Sequence, residues 1–276
     1  NLLPIDMDII NLLSHGFIQR ALMAGSFIAI LCATLGTFLV LRRFSLIGDG
    51  LAHVTFGGVA VGLFLRVYPM YVAIPIVMIS SLGILKLVEK ARLYGDAAIG
   101  IVSSLGIAWG ILLASAAGGF NIDLFSYLFG NILTISTAEV ISSILLSLVL
   151  ILIIWFYYHE LLSITFDEES AKVSGIKTKT INGILVLLTS MTVVLAMRVV
   201  GIMLISSLLI LPPVTALQVA KGFKMTIVIA SACGVISVIL GIFLSLALDL
   251  PTGATIVILN FLFFMGSFVF GKLLAR

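Results

Sequence analysis

MTIVIASACGVISVILGIFLSLAL, residues 225–248, contains no charged residue and no proline. A helix needs ~20 residues to cross the hydrocarbon core of a bilayer, and it satisfies its backbone amides within itself. The run therefore predicts a membrane-spanning helix, and the rest of the chain repeats the pattern. Cutting the apolar stretches at charges, prolines and glycines gives nine candidate crossings: 17–41, 49–66, 70–89, 97–117, 138–157, 181–197, 200–219, 225–248 and 253–273. Only Arg198 and Gly201 separate the sixth from the seventh, so eight crossings plus half-helices is the alternative. Composition agrees. Hydrophobic residues make up 62% of the 276 positions and charged residues 10%. A soluble domain averages about 45–50% and about 25%, so this chain has too little polar surface to stay in water. The expected fold is an all-α polytopic membrane protein. Cys32 and Cys233 each sit inside an apolar run without pairing or metal spacing, and read as small core residues.

The placement of charge sets an expected orientation. With nine spans threaded, Arg42, Arg43, Lys86, Lys90, Arg92, Lys172, Lys177, Lys179, Lys221, Lys224, Lys272 and Arg276 fall on one side. Arg20, Arg66 and Arg198 fall on or toward the other. The basic side reads as cytoplasm, which puts the N-terminus outside and the C-terminus inside. Residues 1–16 form an expected extracytoplasmic segment, with Met7 a candidate natural start and no signal-peptide pattern. Residues 17–276 form one membrane domain. The outer connection 118–136 is too apolar for a solvated loop and predicts a short helix on or in the membrane. The connection 159–180 is the sizeable polar stretch and faces the cytoplasm.

Ionisable residues at membrane depth are rare and usually functional. Asp49 and His53, in SLIGDGLAHVTFGGVAVG (residues 45–62), are spaced i, i+4 and project from one helix face. Carboxylate oxygen and imidazole nitrogen suit Zn²⁺ or Mn²⁺. Two ligands make a poor site, but two chains related by a twofold axis would supply four. The plain structural alternative is that Asp49 caps its helix and His53 hydrogen-bonds a neighbouring one. The positive end of the helix dipole near Asp49 disfavours a cation, which a site that must release its ion tolerates. Gly57, Gly58 and Gly62 with Ala52 and Ala60 predict close approach by a neighbour or a symmetry mate, and Pro212 and Pro213 predict a kink or early end of their span. His159-Glu160 begins like a metalloprotease H-E-x-x-H, but Ser163 stands where the second histidine belongs, so both read as interfacial. His15, Asp123, Glu139 and Asp249 lie at outer ends, where the acidic residues would make a mouth attractive to cations.

The chain carries no phosphate-binding loop: Gly271-Lys272 is followed by Leu273 rather than Ser or Thr. Three patches resemble the membrane permeases of the zinc/manganese/iron ATP-binding-cassette importers. They are Gly48-Asp49 with Leu51-Ala52-His53 and Gly58-Val59-Ala60, Asp123 with Tyr127-Leu128-Phe129-Gly130, and GIMLISSLLILPPVTA from Gly201 to Ala216. The resemblance covers essentially the whole chain and departs at Gly57, where many relatives carry proline. It implies a type II importer-like homodimeric permease in a bacterial or archaeal cell membrane. It also implies two cytoplasmic ATP-binding subunits, an extracytoplasmic metal-binding protein, no enzymatic site and no permanently bound cofactor. On this resemblance Asp49 and His53 are the transit ligands for a divalent cargo, zinc first, with manganese or iron the alternatives. The segment 163–176, with Asp167, Glu168, Glu169, Ala171 and Gly175, resembles the coupling helix that enters a groove of the ATPase. An ion-coupled secondary transporter is the alternative, disfavoured by the shortage of midplane ionisable groups. An intramembrane metalloprotease is disfavoured by the missing histidine.

Overall fold

The computed structural model describes residues 16–91, 94–116, 127–128, 130, 136–197 and 201–274. No strand occurs among them. The helices are α1 (Gly16–Leu41), α2 (Ile47–Phe64), α3 (Pro69–Lys90), α4 (Gly95–Ala116), α5 (Thr137–Phe156), α6 (Tyr158–Phe166), α7 (Glu168–Val173), α8 (Thr178–Ala196), α9 (Ile205–Leu217), α10 (Phe223–Leu248) and α11 (Thr252–Leu274). One 3-10 turn, Ile202–Leu204, precedes α9. The segment 1–15 with Met7 and His15, most of the expected outer helix at 118–136, and Asp123 and Phe129 lie outside the described residues.

Eight of these helices are long and apolar enough to cross a bilayer: α1 to α5, α8, α10 and α11. The expected crossing at 200–219 is different. Its helix, α9, has 13 residues, ~20 Å at ~1.5 Å per residue against a hydrocarbon core of ~30 Å. Gly201 at φ 87° breaks the path from α8, and helix restarts only after the 3-10 turn. Eight full-length helices plus one short one is the arrangement the alternative reading anticipates.

Pro212 and Pro213 do not end α9, which continues to Leu217. Neither proline has an N–H, so the carbonyls of Leu208 and Leu209 lose their usual helical donors. The Leu209 carbonyl is turned against α1. A Cβ built on Gly36 would lie 2.0 Å from that oxygen. The two helices touch backbone to backbone.

α2 is the hub. Its core-facing residues are almost all buried, and it packs on α3, α4, α8 and α9. Its glycines set these contacts. A Cβ on Gly57 would come 2.7 Å from the Gly106 carbonyl oxygen of α4, and one on Gly58 would come 2.8 Å from Ala73 Cα of α3. Gly62 meets Pro69 Cα at 2.6 Å in the same way. The small-residue surface is therefore used inside the protomer. Around α1 the second half of the bundle gathers α5, α9 and α10, and α10 packs on α11. Ser237 of α10 donates to Asn260 of α11 at 2.8 Å in a buried contact. The exposed faces of α4, α5 and α11 carry Leu105, Trp109, Leu152, Trp155 and Phe261, an apolar surface suited to lipid.

Candidate functional site

Asp49 lies in the first turn of α2 and His53 one turn further along. His53 Nε2 and Asp49 Oδ2 stand 3.6 Å apart, too far for a hydrogen bond. Two donors bound to a tetrahedral Zn²⁺ at ~2.0–2.2 Å stand ~3.3–3.6 Å apart, so the gap is close to a metal's bite. The Asp49 side chain is 50% exposed and that of His53 24%, which leaves both reachable. Among the described residues no side chain caps α2 at Leu46, and His53 Nδ1 is buried with no hydrogen-bond partner. Asp49 Oδ1 accepts instead a long bond, 3.4 Å, from Ser206 Oγ in the first turn of α9. Among the described residues no cluster of three or more His, Cys, Asp or Glu forms.

The segment 159–180 folds into two short helices, α6 and α7, with α7 confined to Glu168–Val173. Asp167 is extended at φ −154° and caps α7, accepting from Ser170 N–H at 3.0 Å. At the other end Gly175 adopts φ 87°. The Gly175 N–H bonds the Lys172 carbonyl and the Ile176 N–H bonds the Ala171 carbonyl, which closes the helix in the left-handed manner that favours glycine. Ala171 is buried. Glu168, its side chain 45% exposed, binds back onto the bundle, one carboxylate oxygen accepting from Arg42 and the other from Asn182. Of the five coupling candidates, Glu169 is thus the one left outward without a structural bond of its own. Val173 joins it, an apolar side chain 90% exposed on a polar segment.

Burial lowers the pKa of Arg42, one residue past the end of α1, and the charge and hydrogen bond of Glu168 oppose that shift. Glu139 serves the start of α5: it completes a capping box with Ser136 and accepts from the Tyr68 hydroxyl. Asp249 closes α10 at φ 53°. His159 opens α6 and lines a groove of about 630 Å³ with Thr34, Trp155 and Lys224, without joining Asp49 and His53. Ser206, Arg42, Asn182 and Val173 escape a reading of sequence. The serine pair after Gly201 and the lone asparagine at the start of α8 are the signals that were there.

The profile of the ABC 3 transport family matches residues 14–271. The chain belongs to that family. This ABC 3 transport protein is similar to the manganese transport system membrane protein MntC of Halalkalibacterium halodurans, with 34% identity over 94% of the chain and 89% of the relative. It is 31% identical to the high-affinity zinc uptake system membrane protein ZnuB of Haemophilus influenzae, over 90% and 95% of the two. Among solved structures it resembles PsaBC from Streptococcus pneumoniae in complex with Fab, with a TM-score of 0.85 and 32% identity over 94% of each chain. The ABC 3 transport protein is accordingly a multi-pass membrane permease subunit of a metal-transporting ABC system.

Proposed function

We propose that two copies of this chain form an importer channel for a divalent transition metal, with Asp49 and His53 of each copy as transit ligands. The observation that carries the reading is the donor pair itself, 3.6 Å apart on one face of α2 and open to a cargo ion. Doubling by a twofold axis completes a four-donor shell, which one protomer cannot do. The basic residues put the C-terminus and the 159–180 segment in the cytoplasm. There a separate ATP-binding subunit docks on α7 through Glu169 and Val173 and hydrolyses the ATP, while an extracytoplasmic binding protein delivers the ion. The membrane domain spans 17–276, with 1–16 ahead of it outside. Oxygen and nitrogen donors fit zinc, manganese and iron, and selectivity follows geometry and availability more than ligand type. Zinc, first on donor chemistry, and manganese, named for the MntC relative, are the cargoes to compare.

The test is metal uptake by proteoliposomes holding the complete complex, with zinc and manganese offered separately. Asp49→Ala and His53→Ala each reduce uptake of the true cargo at least about tenfold, since even an outer-shell partner of a metal site is worth about that much. Full uptake by both variants removes the proposed site. Glu169→Lys releases the ATP-binding subunit on purification, and its full retention refutes docking at α7.

A further inference from the structure

Three polar side chains close a ring where three elements meet. Arg42 donates through Nη1 to Asn182 Oδ1 at 2.7 Å and through Nη2 to Glu168 Oε2 at 2.7 Å. Asn182 Nδ2 donates to Glu168 Oε1 at 2.8 Å. Arg42 belongs to the turn between α1 and α2, Glu168 is the first residue of α7, and Asn182 lies in the first turns of α8. The Arg42 side chain is 15% exposed and that of Glu168 45%, with both carboxylate oxygens of Glu168 occupied. A planar guanidinium holding two acceptors at such distances fixes direction as well as distance.

The elements on either side of the ring are closed by hydrogen bonds of their own. α7 is capped at one end by Asp167 and closed at the other by Gly175. The turn after α1 is held by Arg43 N–H to the Val40 carbonyl and Phe44 N–H to the Leu39 carbonyl, with Arg43 itself at φ 55°. From that turn the chain runs directly into α2, whose first turn bears Asp49.

We infer that Arg42, Glu168 and Asn182 are positioning residues that transmit displacement of α7 to the Asp49–His53 pair. A partner pressing on Glu169 and Val173 pulls Glu168, Glu168 pulls Arg42, and Arg42 shifts the start of α2. The same bonds hold α8, so α7 cannot move without carrying both neighbours. The inference rests on the reading of α7 as the ATPase dock.

The experiment measures uptake and ATP hydrolysis together in proteoliposomes of the complete complex, with zinc and with manganese. Glu168→Gln and Arg42→Lys keep size and the possibility of hydrogen bonding while spoiling the fork. Both are expected to retain the ATP-binding subunit and to hydrolyse ATP, but to carry about tenfold less metal per ATP, within the usual range of coupling between sites. The exchanged pair Arg42→Glu with Glu168→Arg is expected to recover part of that ratio, which a simple loss of stability would not allow. An unchanged ratio in both single variants overturns the inference, and so does loss of the ATP-binding subunit from both. Failure of the docking reading shows separately, as retention of that subunit by Glu169→Lys.

Discussion

Alanine at position 36 adds a single carbon where the structure has no room for it. The new Cβ falls 2.0 Å from the Leu209 carbonyl oxygen, 3.0 Å from its carbon and 3.1 Å from Pro213 Cγ. An ordinary carbon–oxygen contact is ~3.2 Å or more, so α1 and α9 must part by about 1 Å, and overpacking of this kind costs about 1–3 kcal/mol. Backbone cannot swing aside as a side-chain tip can. Because Ser206 rides on α9 one turn before Leu209, a shift of α9 also disturbs its 3.4 Å bond to Asp49. Gly36→Ala is therefore expected to lower the thermal midpoint of the detergent-solubilised complex and to reduce metal uptake together. Gly83→Ala is the control, since nothing lies within 4 Å of its new Cβ in the middle of α3. There the gain in helix propensity of about 0.5–1 kcal/mol leaves stability equal or raised. A Gly36→Ala complex that melts and transports like the parent refutes the backbone contact and the reasoning built on it.

Gly175→Ala meets no neighbour but forces a Cβ into the left-handed region at φ 87°, at a cost of about 1–2 kcal/mol. It should weaken retention of the ATP-binding subunit in pull-down without changing the melting of the transmembrane bundle. Val173→Asp places a charge on the most exposed apolar side chain of the 159–180 segment, the proposed dock. Co-purification of the ATP-binding subunit should drop sharply while the permease alone melts unchanged. Ser136→Ala removes the hydroxyl that accepts from Glu139 N–H in the capping box of α5. Its thermal denaturation should register a loss of about 1 kcal/mol, the common value for such a cap.

Long apolar runs made most of the fold legible, because each span satisfies its own backbone and needs no distant partner to be recognised. The predicted run 225–248 and the observed α10, Phe223–Leu248, differ only at their start. At 200–219 hydropathy stays high and leaves nine crossings or eight plus half-helices both open, and the φ of Gly201 with the 3-10 turn after it decides for the second. The donor pair was legible for a similar reason: i, i+4 spacing on one helix is local. Ser206, 157 positions from Asp49, becomes its neighbour only through the packing of α9. Glu168 shows the same limit. Its charge in a polar segment suggests an outward surface, and only the fold reveals that it also pairs with Arg42, 126 positions away.

His53 bears on how long an ion would stay. Histidines that retain a metal are steadied through the second ring nitrogen, and loss of that support weakens holding by about 10–100-fold. Among the described residues no group hydrogen-bonds the Nδ1 atom of His53. On the proposed reading of Asp49 and His53 as transit ligands, such a ring would grip softly and give its ion a short dwell: a doorway needs a latch that lifts, where a storage site needs one that locks.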